Sequence, residues 1–253
     1  MKYLSTFLNA FLAGLCIAIG GVVYLSVDNK IVGALLFTVG LFTVVSFGFT
    51  LFTGKVWLVL DEGMRALPTL GVIWLGNLAG CAAVGYAVRA TRIAGIAERA
   101  AAMCEIKLTD NLISIFLLAV LCNILMYVAV DGYKRNPHEV GKYIGLFLGV
   151  AVFILCGFEH CVANMFYFSV ANVWSVHALG YLLVMTLGNA AGGILVPAIV
   201  RLRDRIDNEK KRGEHHGSTG ILRPSAWQNE KGSTQPDYRR AGRASGSRHI
   251  EKR

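Results

Sequence analysis

The sequence predicts an all-α membrane protein with six transmembrane helices, arranged as two inverted three-helix repeats. Hydrophobic residues make up 55% of the chain and charged residues 16%, and the mean hydropathy is +0.52. These values lie outside the range of soluble globular domains. Runs of about 20 apolar residues, the length of helix that crosses a bilayer, recur six times. The runs lie near 7–27, 30–49, 69–88, 111–130, 142–168 and 178–200.

The charge distribution predicts the orientation of these spans. From residue 201 onward the chain carries fourteen Lys or Arg against seven Asp or Glu. The positive-inside rule places this end in the cytoplasm, and six spans then place the N-terminus there too. The first run follows Met1 and Lys2 and is followed by further spans, so we expect an anchor and not a cleaved signal peptide. The basic residues of the 89–110 connection fall on the outside and oppose the rule. The predicted location is a cell membrane.

The C-terminal part differs in composition from the rest. Residues 1–203 form the predicted membrane domain, and residues 204–253 form a basic tail. From about residue 213 the tail is rich in Gly, Ser, Arg and His and has no apolar periodicity, which predicts a disordered cytoplasmic segment. Contact with nucleic acid or anionic lipid is the alternative. We expect a solvated tail and no nucleic-acid partner.

The chain resembles itself when its first part is shifted so that the pair Gly48–Phe49 falls on Gly157–Phe158. We call this shift the repeat offset. When three residues are added to it, LGNLAG at 75–80 falls on LGNAAG at 187–192. These and other matches keep their order along three spans, which indicates repeats at 1–97 and 110–200. Because each repeat has an odd number of spans, the two copies cross the membrane in opposite senses. Channels and transporters use this architecture, with the site near the midplane.

The second span of each repeat contains residues typical of a broken helix. The segments are GFTLFTGKVW at 48–57 and GFEHCVANMFYFSVANVW at 157–174. We expect Thr50, Thr53 and Gly54 to turn the chain in the first segment, and Ser169 and Asn172 in the second. Irregular backbone at this depth is tolerated only when it is buried in protein or lines a cavity. Two such breaks facing each other predict a pore.

The segments GFEHCVANMF, LFTGKVW, GNLAG and TLGNAAGG resemble the signatures of the formate/nitrite transporter family, and the resemblance covers about 1–203. It implies an aquaporin-like protomer of six helices, with the second and fifth broken, that assembles as a homopentamer in the lipid bilayer. Each protomer would carry a pore for small monovalent anions, with formate as our first expectation. The anion would move with a proton or as the neutral acid. Nitrite, hydrosulfide, acetate and lactate are the alternatives.

The resemblance also assigns roles to residues of this chain. Thr53 matches a loop threonine in a hydrogen-bond network at the pore centre, Phe37 and Leu41 match apolar rings that narrow the pore, and Lys142 matches a vestibule lysine. The expected pathway also includes Leu51, Phe52 and Lys55 of the same loop. Lys55 departs from the small or polar residue expected there. The signature and its support comprise Gly157, Phe158, Glu159, His160, Asn164, Asn77 and Asn189.

The residue at the pore centre is open between two candidates. Many members of the family carry a histidine after the second break. At about the corresponding distance from TLGN this chain has Ala171 or Asn172. We expect Asn172 at the centre, and His177 is the alternative. An asparagine would donate and accept hydrogen bonds without relaying a proton.

The physics of a narrow apolar pore favours neutral acids. A bare carboxylate between Phe37 and Leu41 would face a Born cost on the order of tens of kcal/mol. Protonating an acid of pKa about 4 at pH 7 costs roughly 4 kcal/mol. The rings therefore act as a charge filter, and Lys142 collects anions in the vestibule, unless it merely extends its charge from a helix end towards water.

Glu159 and His160 lie inside an apolar run, where ionisable groups are costly. We expect Glu159 to brace the loop that carries Thr53 or Asn172. His160 would join that network or shuttle a proton, or pack against a neighbouring protomer. The six cysteines have no metal-ligand spacing and no enzymatic motif is present, so we expect no cofactor, no metal and no catalysis. By architecture a neutral-solute channel of the aquaporin type is the runner-up, but paired Asn-Pro-Ala segments are missing.

Overall fold

The computed structural model describes residues 1–218, with side chains to residue 210. The chain divides into two units, 1–207 and 208–253. Every regular element in the described residues is helical. The α-helices are α1 (Lys2–Ser26), α2 (Lys30–Phe47), α3 (Val59–Glu62), α4 (Leu67–Arg89), α5 (Ile96–Thr109), α6 (Leu112–Arg135), α7 (Glu139–Leu155), α8 (Cys161–Ala171) and α9 (Val176–Ser218), and 3-10 turns lie at Phe52–Gly54, Val56–Leu58 and Gly63–Ala66.

Five helical segments of the described chain are long and apolar enough to cross a membrane. They are Lys2–Ser26, Lys30–Phe47, Val56–Arg89, Leu112–Arg135 and Val176–Lys210. The remaining predicted span, 142–168, is divided between α7 and the shorter apolar helix α8. The prediction of an all-helical membrane protein is therefore confirmed.

The first interruption follows α2. This helix begins at Asn29, whose Oδ1 accepts hydrogen bonds from the N–H groups of Ile31 and Val32. It ends at Gly48, which has a left-handed φ of 71°. The N–H of Phe49 then donates to the carbonyl of Val44 at 2.9 Å. Glycine is the residue that adopts this backbone without strain, so it ends the helix at this point.

The second interruption repeats the first at the repeat offset. Gly157 has a φ of 69°, and the N–H of Phe158 donates to the carbonyl of Phe153 at 2.9 Å. Helix α8 begins at Cys161. The break thus lies at the Gly-Phe pair, and Ser169, expected to turn the chain, lies inside α8, where its hydroxyl donates to the carbonyl of Met165 at 2.7 Å. A backbone acceptor one turn earlier satisfies the hydroxyl, so this serine is compatible with a continuous helix.

Close helix contacts within each repeat depend on matching glycines. A Cβ atom at Gly80 of α4 would lie 2.2 Å from the carbonyl oxygen of Phe11, and one at Gly192 of α9 would lie 2.2 Å from that of Val120. Phe11 and Val120 are themselves counterparts at the repeat offset. Each glycine therefore lets two helices approach at backbone distance, as small residues do in membrane helix pairs.

The connection between the repeats is itself structured. Residues Ile96–Thr109 form α5, which at 14 residues is about 21 Å long and too short to cross the bilayer. Its buried residues are Ile96, Ala100 and Cys104. Burial raises the pKa of the Cys104 thiol to about 12, so this cysteine packs as a small apolar group.

Helix α9 extends into the predicted tail. It is helical to Ser218, whereas the sequence predicts the tail from residue 204. Residues 204–214 contain many Arg, Lys and Glu, which favour helix in the absence of apolar periodicity. The prediction of disorder for 219–253 lies outside the described residues.

Candidate functional site

Two buried asparagines hold the two breaks with the same set of hydrogen bonds. Asn77 Oδ1 accepts from the N–H of Phe52 at 2.8 Å, and its Nδ2 donates to the carbonyls of Ala10 and Thr50 at 2.8 and 3.0 Å. Asn189 Oδ1 accepts from the N–H of Cys161 at 2.8 Å, and its Nδ2 donates to the carbonyls of Ala119 and Glu159 at 2.7 and 2.8 Å. Each partner in the second set is the counterpart, at the repeat offset, of a partner in the first. The asparagines satisfy backbone groups that the breaks would leave orphaned.

The two breaks meet in a contact between Thr53 and His160. Thr53 Oγ1 lies 3.1 Å from His160 Nε2, and the residues are 4% and 2% exposed. His160 Nδ1 accepts a hydrogen bond from the N–H of Ala163 at 3.1 Å and so caps α8. Because Nδ1 is an acceptor, the proton of the neutral ring is on Nε2 and points to the threonine hydroxyl. The pair therefore forms a fixed polar contact.

Apolar side chains surround this contact. Phe153 stacks on the His160 ring with centroids 5.6 Å apart, and Phe37 meets Phe153 edge to face at 6.2 Å. Leu41 and Leu51 are also buried. Phe37 and Leu41 were predicted as apolar rings, and both are buried: Phe37 contacts Phe153, and Leu41 shares a cavity lining with Leu51.

Two small cavities border this region, and their linings correspond at the repeat offset. One, of about 40 Å³, is lined by residues that include Phe153, Gly157 and His160. The other, of about 80 Å³, is lined by residues that include the counterparts Val44, Gly48 and Leu51. The two linings share no residue. The cavities are thus related by the same internal repeat as the breaks.

A third, larger cavity of about 340 Å³ is also lined by Thr53. It shares Gly54, Val130 and Lys134 with the 80 Å³ cavity. Its lining carries charges of both signs, from Asp131, Lys134, Arg135, Arg201 and Asp204. Open space therefore extends to the loop that carries Thr53.

Glu159 is held as an ion pair. Lys107 Nζ lies 2.8 and 2.7 Å from the two carboxylate oxygens, and Asn164 Nδ2 donates to Oε2 at 2.8 Å. The side chains of Lys107 and Glu159 are 12% and 4% exposed. The expected brace is corrected in one respect: the carboxylate bonds Lys107 and Asn164, and only the backbone of Glu159 joins the Asn189 network. A buried carboxylate needs a charge partner, which α5 supplies.

Asn172 and His177 do not meet the central contact. Asn172 ends α8 in a left-handed conformation with a φ of 57°, and His177 Nε2 lies 2.9 Å from the carbonyl oxygen of Leu108. The eleven residues of α8, about 17 Å of helix, separate Asn172 from His160, and His177 lies beyond the turn that follows α8. The histidine that reaches Thr53 is His160, before α8 and not after it.

Two lysines that were predicted from the sequence differ in their surroundings. Lys142 lies in the first turns of α7 and forms an ion pair with Glu139. It is therefore neutralised locally. Lys55, in contrast, lines the 80 Å³ cavity beside Leu51.

Three residues of this site were not predicted: Lys107, Phe153 and Asn123. Asn123 Nδ2 donates hydrogen bonds to the carbonyls of Thr53 and Asn189 at 3.1 and 2.6 Å. Asn123 therefore links the two repeats. Lys107 could have been sought as the cation that a buried Glu159 requires. The internal repeat gives no signal for Phe153 or Asn123, because the residues at the matching positions of the first repeat are Val44 and Gly14, which differ from them in chemistry.

The fold and the site define a class of protein. Two matching helix breaks in a membrane protein meet at a buried polar contact, with apolar side chains around it and a cavity on each half. This arrangement is typical of channels and transporters.

Comparisons with known proteins agree. The family model for formate/nitrite transporters matches residues 1–202. The chain is 31% identical over 237 residues to the formate channel FocA of Haemophilus influenzae, with 75% of this chain and 83% of the relative covered. It is also 31% identical to a probable formate transporter of Methanothermobacter thermautotrophicus, with 75% and 84% covered.

Solved structures show the same similarity. A pentameric formate channel with formate bound matches with a TM-score of 0.72 and 27% identity, over 81% of this chain and 98% of that one. An ion channel of the same family matches with a TM-score of 0.64 and 25% identity, over 76% and 86%. The chain belongs to the formate/nitrite transporter family. It is an integral membrane channel or transporter and not an enzyme.

Proposed function

We propose that the protein transports formate across a cell membrane, through a pathway that passes the Thr53–His160 contact, as the neutral acid or together with a proton. The single observation that carries this proposal is that contact itself. It is the polar point at which the two broken helices meet, and it lies between apolar residues that border separate cavities. The relatives named for formate support the choice of substrate.

The apolar surroundings of the contact select against charge. Phe37, Phe153, Leu41 and Leu51 offer no group that could replace the hydration shell of an ion. For an acid of pKa about 4, protonation at pH 7 costs roughly 4 kcal/mol, much less than desolvating the carboxylate. Formic acid can exchange hydrogen bonds with the Thr53 hydroxyl and with His160 Nε2–H as it passes.

His160 acts in this proposal as a donor and not as a proton relay. Its Nδ1 is occupied by the N–H of Ala163. A second proton on the ring would put two N–H groups face to face at 3.1 Å and remove the hydrogen bond that caps α8. The proton that crosses with formate therefore comes from water in the cavities.

The family and the charge pattern support a proposal for the assembly and the orientation. We propose a homopentamer, as in the structurally similar pentameric formate channel, with one pathway in each protomer. Many large apolar side chains on α1, α2, α6 and α7 are exposed on the single chain, which fits contact with lipid and neighbouring protomers. Both termini would be cytoplasmic, as the positive-inside rule predicts.

Liposome uptake tests the proposal. Purified protein in liposomes is expected to take up labelled formate well above protein-free liposomes, with one proton entering per formate, reported by an internal pH dye. Nitrite, hydrosulfide, acetate and lactate would be compared in the same assay, together with glycerol. Glycerol flux without formate flux would instead support a neutral-solute channel, and formate flux that carries net charge would exclude the neutral-acid route.

A further inference from the structure

The 80 Å³ cavity beside Leu41 and Leu51 contains two lysines. Lys55 reaches it from the loop after the first break, and Lys134 reaches it from the end of α6. No carboxylate is among the residues that line this cavity in the described part of the chain. The nearest acid along α6, Asp131, pairs with Arg135 at 2.9 Å. Within residues 1–210, no ion pair involves Lys55 or Lys134.

The matching cavity in the other half has a different charge. Lys107 lines it, but the pair with Glu159 neutralises this lysine. At the repeat offset Lys55 takes the place of Asn164, and Thr50 takes the place of Glu159. The first repeat thus keeps the geometry of the second while it gains a cation and lacks the acid. One end of the proposed pathway is positive and the other is neutral.

We propose that Lys55 and Lys134 form a binding site for a small monovalent carboxylate at this one end of the pathway. The inference rests on the proposed function for the identity of the anion, formate. Two positively charged lysine side chains that line a concave, partly apolar space attract an anion and raise its local concentration. A cavity of 80 Å³ holds a group of a few heavy atoms, which suits formate.

The position of the site beside Leu41 and Leu51 determines its effect on transport. Leu41 and Leu51 line the same cavity, so an anion held there is directly beside the apolar constriction. It waits as formate, and only the protonated form proceeds past the leucines. The 340 Å³ cavity, which shares Lys134, provides the approach from water. Formate arriving from this side would therefore be captured at lower concentration than formate arriving from the other side.

Formate binding to purified protein tests the site without requiring transport. The thermal midpoint of unfolding of detergent-solubilised protein is measured against formate concentration at constant ionic strength, because a ligand that binds the folded state raises this midpoint. We expect the half-maximal formate concentration to rise about tenfold in Lys55→Gln and in Lys134→Gln. Lys55→Arg keeps the charge and should stay near wild type, and so should Lys2→Gln, whose exposed lysine at the start of α1 lines none of the three cavities described.

A second arm measures formate flux into liposomes from the side that carries the site. The half-saturating formate concentration should rise in Lys55→Gln and Lys134→Gln, while the flux at saturating formate changes little. Formate titrations equal to wild type in both Gln variants would overturn the site. Lysine-dependent binding without any flux by the wild-type protein would leave the site standing and defeat the proposed function. Formate flux by the wild-type protein, together with formate binding that does not depend on the two lysines, would defeat the site and leave the proposed function standing.

Discussion

Asn77 and Asn189, one in the third span of each repeat, each make one accepted and two donated hydrogen bonds to backbone groups at equivalent positions of the two repeats. The breaks are therefore held from the side by the third helix of their own repeat. Without these amides the backbone around Phe52 and Cys161 would be buried with unpaired polar groups.

Replacing either asparagine should destabilise the protein. In Asn77→Leu or Asn189→Leu, three backbone groups lose a buried partner, at about 1–3 kcal/mol for each group left unpaired. We expect a clear fall in the thermal midpoint of the purified protein and a loss of formate flux. Asn9→Ala is the matched control, because its side chain bonds only the carbonyl of Ser5 within α1. An unchanged midpoint in both leucine variants would contradict the bracing role.

The Lys107–Glu159 pair should behave as a unit. Lys107→Met leaves a buried carboxylate unpaired, which costs about 3 kcal/mol or more, and Glu159→Gln leaves the lysine unpaired. The double variant Lys107→Met with Glu159→Gln should recover most of the lost thermal stability. The exposed pair Arg99–Asp28 serves as the control, since Asp28→Asn should change stability by less than about 1 kcal/mol. Additive losses in the double variant would show that the two charges act independently.

The matching glycines predict a steric effect. Gly80→Ala and Gly192→Ala each place a Cβ 2.2 Å from a backbone oxygen of the facing helix, so the helices must separate. We expect a lower thermal midpoint and partial loss of the intact oligomer on size-exclusion chromatography. Gly180→Ala is the control, because a Cβ there meets nothing within 4 Å, and alanine favours helix. Equal behaviour of all three variants would exclude tight packing at these glycines.

The neutral-acid route predicts the sign of the pH dependence. Above its pKa, the protonated fraction of formate falls tenfold for each pH unit. At fixed total formate, the initial uptake rate into liposomes should therefore rise steeply as the external pH is lowered from 8 to 5. The conjugate base of a strong acid, such as chloride, should not be carried at any pH. A flat profile for formate, or chloride flux, would contradict the charge filter.

The repeat made a large part of this architecture predictable from sequence. The Gly-Phe pairs and the two asparagines occupy matching places in the two halves, because both halves must end a helix and satisfy the same backbone groups. Gly48 and Gly157 each adopt the left-handed conformation for that purpose. The expectation of breaks in the second and fifth spans rested on this internal comparison.

The sequence predicted that His160 could join the polar network, but it did not predict this histidine at the centre, for a physical reason. Counting back from TLGN placed the centre near Asn172, but that residue ends α8 in a left-handed turn at the far end of the helix. His160 precedes α8, where its ring can cap the helix and still reach Thr53. Lys107 was missed because it lies in a connection whose helix, α5, has only a short apolar stripe. Such long-range pairs depend on tertiary packing, which spacing alone does not reveal.

Formate flux through four variants tests the proposed pathway most directly. Thr53→Val and His160→Gln change the two side chains of the central contact, whereas Asn172→Gly and His177→Gln change two residues that make no hydrogen bond to it. We predict at least a tenfold fall in the initial rate of formate uptake for the first pair, and near wild-type rates for the second, at equal amounts of intact oligomer in the liposomes. Full activity in Thr53→Val and His160→Gln, with loss in Asn172→Gly or His177→Gln, would place the pathway elsewhere and contradict the account.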